Sequence, residues 1–369
     1  MSSESKSNSD RRDFMKLASV GVAAAALATN SAKGTSRPLT EKEKLARIAS
    51  SCWPPRQMFK RAGNRPATGV TAEMREKYGV ITMLDFPQWT KDTYPGVYHM
   101  DLWSSVFGDT TDPDQYTETT YVRNGQTRTI PRWDPSTPAS KKWIDELANI
   151  QVKTGTKCCH ISNNAPQHIA DPDNEKRLEG VRVAKIWMDA ASVLGAKTMR
   201  VNTGVTGTRV MPEATANRSG YPRNDQIVVY LEQCIESFKE LADYGGKVGV
   251  AISIENHWGL CANPMNIRIV IDEVNHPYCE ATPDFCNWEH EYHLFHGLEI
   301  LMPYTHHHVH AKYWDRWKTD ETDCNDVARS VRILNAHKFH GTIALEYEHG
   351  PWDGIVGSKR LMDDVLAAL

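Results

Sequence analysis

"ISIENHWG" occupies residues 252–259: an apolar start that suits a strand buried on both faces, followed at once by a carboxylate, an amide and an imidazole. Side chains alternate along a strand, so Ala251, Ser253, Glu255 and His257 share one face. Small residues low on that face and a carboxylate at its carboxyl end suit the inside of a parallel barrel, whose polar groups gather at the mouth. Residues 342–348 repeat the pattern, with Thr342, Ala344, Glu346 and Glu348 on one face.

Working outward, eight short runs read as strands: 80–86, 96–103, 157–162, 198–203, 249–255, 279–284, 306–312 and 342–347. Amphipathic helices lie between several of them. In 175–194 the apolar positions Val181, Ala184, Trp187, Met188, Ala191 and Leu194 recur at helical spacing, with Asn174 as N-cap and Gly195 just past the end. In 225–244 the stripe is Ile227, Leu231, Cys234, Ile235, Phe238 and Leu241, followed by glycines. Strands alternating with crossover helices mean an α/β fold with a parallel sheet, and eight units fit a closed (β/α)8 TIM barrel. The alternative, a doubly wound open sheet, usually carries a Gly-rich phosphate turn after its first strand; here "DFPQW" (85–89) stands there, and no G-x-G-x-x-G occurs.

Three long connections, 107–139, 205–224 and 314–326, all leave the carboxyl end of a strand, the side on which barrels build their sites. The first contains "YVRNGQTRTI" (121–130), whose Asn-Gly pair predicts a β-hairpin.

The first 32 residues differ in kind. "DRRDFMK" (10–16) precedes a short Ala-rich run, 17–28, matching a twin-arginine export signal in which Asp10 replaces the usual hydroxyl residue and Met15 the Leu. Residues 33–77 then read as a linker and N-terminal extension with a short helix at 41–49, and 78–369 as the barrel domain. Export places the protein in the periplasm, with no stable membrane insertion once the signal is removed. A net charge of −3 and a pI near 6.6 provide no positive field to hold nucleic acid. The eight cysteines show no C-x-x-C spacing and read mostly as buried thiols, although an oxidising compartment would permit a disulfide.

Polar residues collect at strand ends. Strand six delivers Asp284, and "THHHVHAKYW" (305–314) places His306, His308, His310 and Lys312 on one face. Together with Glu255 and Glu346, Asp284 and His310 form a constellation of one residue from each of four consecutive strands. Plainer readings exist: Glu255 and Glu346 as salt-bridge partners of Arg200 or Lys312, and Asp284 as a helix cap. Trp103, Trp258 and Trp314 stand at strand ends, where aromatic rings stack on sugars or are simply buried.

The motifs "SIENH", "TPDFCN", "HVHAKYW" and "GTIALEYE", in this order, resemble the xylose isomerase-like (β/α)8 superfamily. It contains sugar phosphate isomerases and epimerases, hydroxypyruvate isomerases, inositol-pathway dehydratases and AP endonucleases (AP endonuclease family 2). The resemblance implies the metal ligands Glu255, Asp284, His310 and Glu346. The chain departs from the pattern at Asn287, where many members have His, and in the Arg that often follows the strand-seven His, a part left to Lys312 or Arg316.

Three carboxylates and an imidazole suit one hard divalent ion, Mn2+ first, with Mg2+, Co2+ or Zn2+ as alternatives. Such a site implies a sugar isomerase or epimerase that removes a proton next to a carbonyl and forms an enediolate, with Glu255 and Glu346 as catalytic acid/base residues. His257, Lys312, Arg200, Asn202 and His160 are the candidate substrate-binding residues. The expected partner is a small-molecule carbohydrate, and a homo-oligomer stays open. An alternative is a metal-dependent lyase that expels the aglycone of a keto-sugar or oxidised glycoside. AP endonuclease-like phosphodiester cleavage or non-catalytic sugar binding rank behind both.

Overall fold

The computed structural model describes residues 37–61, 67–123, 126–203, 225–257, 259–288, 292–313, 326–348 and 350–369. The expected export signal and most of the connections at 205–224 and 314–326 lie outside these residues, as do Trp258, Trp314 and Arg316. Ten strands occur among the described residues: β1 Ile48–Ser51, β2 His99–Trp103, β3 Tyr116–Arg123, β4 Gln126–Trp133, β5 Lys157–Ser162, β6 Thr198–Arg200, β7 Ala251–Ile254, β8 Cys279–Ala281, β9 His308–Ala311 and β10 Thr342–Leu345.

Eight of them form one parallel sheet in the order β8-β7-β6-β5-β2-β1-β10-β9. Its two edges meet through a parallel bridge between Asp284 and His310, with His310 N–H donating to Pro283 O at 3.1 Å and Phe285 N–H to His310 O at 3.0 Å. The order around the sheet is therefore chain order, and the architecture is a TIM barrel. Residues Thr40–Leu369 form one compact unit. No described helix is long and apolar enough to cross a membrane.

Seven of the eight expected strands are present. The exception is 80–86, where Ile81 makes only an isolated bridge to Phe59 and Phe86–Thr93 is a helix with Pro87 in its first turn. The first barrel strand is instead β1, inside the stretch read as a linker; the helix expected at 41–49 stops at Leu45. "IASS" is too short and too rich in small residues to show a period, and it is a strand because β2 and β10 flank it: Ser51 pairs with Asp101 and Ile48 with Ile343. The sheet therefore begins before residue 78.

The helix at 175–194 spans Asn174–Val193, and its cap is Asp173 rather than Asn174; Asp173 accepts from Glu175 N–H at 3.1 Å and Lys176 N–H at 3.3 Å. The predicted hairpin is the antiparallel pair β3–β4, inserted after β2. Its base is tied down by an aromatic cluster: Trp133 of β4 stands 5.3 Å from Phe107, 5.5 Å from Trp143 and 5.1 Å from Trp187, centroid to centroid. The seven described cysteines are all buried.

Trp187 fills the middle of that cluster and is 2 % exposed. Trp187→Ala is expected to cost about 3–5 kcal/mol of stability, read as a lowered midpoint in chemical denaturation with the hairpin loosening first. An unchanged midpoint would mean that the cluster does not hold the hairpin.

Candidate metal centre

Glu255 is the first residue past β7, Glu346 the first past β10, Asp284 stands just beyond β8, and His310 lies within β9. The four expected ligands thus come from neighbouring strands, are at most 6 % exposed, and present ligand atoms within 4.8 Å of one another. His310 Nδ1 lies 3.5 Å from Glu255 Oε2 and 3.4 Å from Glu346 Oε2. Two buried atoms facing this space, His310 Nδ1 and Asp284 Oδ2, make no well-formed hydrogen bond; Asp284 Oδ2 has only the Lys312 ammonium at 3.0 Å, and His310 Nδ1 only carboxylate oxygens at 3.4 Å and beyond. A divalent ion would satisfy both, and three carboxylates with one imidazole are a hard donor set. The residues fit such an ion.

Local geometry holds the carboxylates in place. Asn256, between Glu255 and His257, accepts from Asp284 N–H at 2.7 Å and donates to Asp284 O at 3.0 Å, so its amide extends the β7–β8 ladder past the last strand residue. Asp284 Oδ1 accepts from the N–H groups of Cys286 at 2.6 Å and Asn287 at 3.1 Å, which leaves Oδ2 for the shared space. It therefore makes the turn contacts of a cap while facing the cluster.

Two cations balance the charge. Arg200 donates to Glu255 Oε2 and, through its other amino group, to Asn164 Oδ1 at 2.7 Å. Lys312 Nζ lies 3.0 Å from Asp284, 2.9 Å from Glu346 and 3.0 Å from Glu348. Asn287, at the position where many members of the superfamily have His, donates to Glu255 Oε1 at 3.0 Å and accepts from Lys312 at 3.2 Å. The salt bridges of the plainer reading are thus present, Glu255 to Arg200 and Glu346 to Lys312, and the same carboxylates border the space where an ion could sit.

Burial would raise the Glu255 carboxyl, but Arg200 and His310 outweigh it and hold it well below the usual range. For Glu346 burial wins over Lys312 and His310, and its carboxyl is pushed up to about 7. Burial works to lower the His310 imidazole, yet Glu346, Glu255 and Asp101 raise it well above its ordinary value.

A pocket of about 170 Å³ opens onto the cluster, walled by Trp53, Trp103, Ser162, Arg200, His257 and Glu346. Trp53 and Trp103 meet edge to face at 4.9 Å. Of the expected substrate-binding residues, Arg200 and His257 line this pocket. Lys312 sits beneath it among the carboxylates. Asn202 is one step removed, donating to Asn164 at 2.8 Å.

His160 does not reach the pocket: the strand ends two residues later at Ser162, and His160 lies one layer down, stacked on His308 at 4.4 Å. Trp53, Ser162, Asn164 and Asp101 were not singled out from the sequence. Trp53 follows the unrecognised β1, whereas Asp101 carried a signal, a lone carboxylate inside the apolar "HMDLW". A larger groove of about 950 Å³ lies between the hairpin and the helix Asn174–Val193, away from these carboxylates.

Without an ion, both Glu346 and His310 hold protons near neutrality, and both must release them to become ligands. Mn2+ affinity is therefore expected to rise with pH, by roughly tenfold or more between about pH 6 and about pH 8. Mn2+ titration of chelator-stripped protein at the two pH values measures it; an affinity that falls or stays level would contradict the assignment of these protons.

The profile of the xylose isomerase-like TIM barrel matches residues 119–366. No curated protein matches the chain by sequence. Among solved structures, the chain is similar to the apo form of 3-keto-D-glucoside 4-epimerase from E. coli, with a TM-score of 0.56 at 14% identity over 88% of this chain and 98% of that one. D-allulose 3-epimerase from Methylomonas sp. gives a TM-score of 0.54 at 12% identity, again covering 88% and 98%. A xylose isomerase-like TIM barrel protein from Mycobacterium smegmatis, solved with magnesium, gives 0.54 at 15% identity, covering 89% and 99%. At these identities the likeness concerns the fold. The family match over residues 119–366 and the barrel architecture establish that this chain belongs to the xylose isomerase-like TIM-barrel family.

Proposed function

We propose that this protein is a divalent-metal-dependent sugar epimerase or isomerase that removes the proton next to a carbonyl of a free sugar or glycoside. The observation that carries the reading is the pair Glu255 and Glu346: two buried carboxyls that flank one imidazole nitrogen beneath a pocket at the barrel mouth. Two carboxyl groups placed on either side of a reacting carbon can take a proton from one face and return it to the other. The fold likeness to two sugar epimerases supports the same class of step.

Glu255, Asp284, His310 and Glu346 would hold the ion. When bound, it supplies Lewis-acid charge beside the carbonyl and neighbouring hydroxyl oxygens of the sugar. Glu255, kept ionised by Arg200, accepts the proton from carbon. Glu346, whose own proton leaves when the ion binds, would serve the opposite face, returning a proton there once it has taken one up, and the roles reverse in the other direction. Lys312 adds positive charge where the oxyanion develops. His257, pushed down to about 3 by burial, is neutral and meets substrate as a hydrogen-bonding group without charge. Trp53 and Trp103 offer faces and edges to the apolar side of the ring. Export by the twin-arginine route would place this chemistry in the periplasm and favours an unphosphorylated substrate.

Solvent exchange provides the test. Metal-loaded protein in D2O with aldo- and keto-sugars and their glycosides is expected to introduce deuterium next to the carbonyl, and Glu255→Gln or Glu346→Gln to slow this by about 10²-fold or more. Aglycone release from a keto-glycoside would turn the assignment to the lyase. Absence of exchange with every sugar tried would remove proton abstraction altogether.

A further inference from the structure

We infer that Asp101 is a positioning residue of the metal centre, acting through His310 by fixing the orientation and tautomer of the imidazole. The inference rests on the reading that Glu255, Asp284, His310 and Glu346 hold an ion. Asp101 lies in the middle of β2, points into the barrel and is 1 % exposed. A carboxylate buried this deeply costs several kcal/mol unless hydrogen bonds compensate it.

Its partners are few. Ser162 Oγ donates to Oδ1 at 2.8 Å, and His310 Nε2 stands 3.4 Å from Oδ2. Ser162 Oγ is itself 3.4 Å from the same Nε2. One edge of the His310 ring thus meets Asp101 and Ser162, while the other nitrogen, Nδ1, faces Glu255 and Glu346. A carboxylate only accepts, so the proton of a neutral His310 belongs on Nε2, and Nδ1 presents its lone pair to the carboxylate space.

The backbone is built to make this contact. Met100 pairs with Cys158 but Asp101 with His160, so β5 carries one extra residue at Cys159. Strict alternation from Cys158 would send Ser162 outward; the extra residue turns it inward, beside Asp101. Bulges re-aim side chains in this way near functional sites.

The same neighbourhood offers a rival. Asp101, His160, His308 and His310 also bring ligand atoms within 4.8 Å of one another. However, the rings of His160 and His308 are stacked, 4.4 Å apart and only 10° from parallel. In-plane lone pairs of two stacked rings do not converge on one ion. What remains is a carboxylate, a histidine and the ion site in series, the arrangement by which partners of a ligand hold it for its metal.

The test is Mn2+ titration of chelator-stripped protein, followed by the electron paramagnetic resonance signal of free Mn2+. Asp101→Asn is expected to weaken binding about 10–100-fold, while the melting temperature of the stripped variant stays level or rises because a buried charge is gone. Equal affinity in variant and wild type would overturn the inference and leave the metal reading standing. If the wild type itself takes up no Mn2+, the metal reading fails and this inference with it. Should the variant not fold, long-range 1H–15N spectra of the Mg2+-loaded wild type read the tautomer directly. A proton on Nε2 of His310 supports the inference, and a proton on Nδ1 overturns it.

Discussion

The barrel closes where its proposed chemistry sits. The bridge between Asp284 and His310 joins the two edges of the eight-stranded sheet, and these two residues are also two of the four candidate ligands. An open parallel sheet would leave rows of unpaired peptide groups on β8 and β9; two hydrogen bonds across the bridge bring those edges together at the mouth. Because β8 ends at Ala281, the side chain of Asn256 continues the pairing with β7 by bonding both the N–H and the carbonyl of Asp284. Closure and ligand placement are therefore one structural event, and a shift of strand register at the seam would move both.

Charge follows from that geometry. Closure gathers Glu255, Asp284 and Glu346 around one imidazole, a concentration of buried negative charge that would be prohibitive alone. Arg200 and Lys312 enter from β6 and just past β9 to balance it, and the unequal division of these cations separates the two glutamates. Among the described carboxylates Arg200 pairs with Glu255, its other amino group going to the Asn164 amide, whereas Glu346 shares Lys312 with Asp284 and Glu348 and keeps its proton to about 7. Asn287 links the two halves by donating to Glu255 and accepting from Lys312, a connection that an imidazole at this position would not make with the same atoms.

Much of this was legible in the chain. Seven strands announce themselves as short apolar runs, and the polar residues that interrupt their ends are the four that meet. Alternation groups Glu255, His310 and Glu346 each with the small or polar residues of one strand face, because period two is a property of the extended backbone, while Asp284 is read from its place at the end of strand six and the four become ligands through the resemblance of their motifs. What escaped reading is local in a different sense. β1 has no period to detect in "IASS", and residues 80–86, more apolar, form a single bridge and a turn that lead into the helix Phe86–Thr93, whose first turn Pro87 favours.

The sequence by itself determined the parallel (β/α)8 architecture, through hydrophobic period, and nominated the carboxylates and the imidazole, through residue type at strand ends and the resemblance of their motifs. Only the tertiary structure decided which first strand completes the ring, that Lys312 and Arg200 divide their charge unequally, and that an extra residue at Cys159 turns Ser162 toward Asp101 and His310. The reason is that these depend on strand register and on distances between residues far apart in the chain. Alternation along a single strand determines a face but not a neighbour.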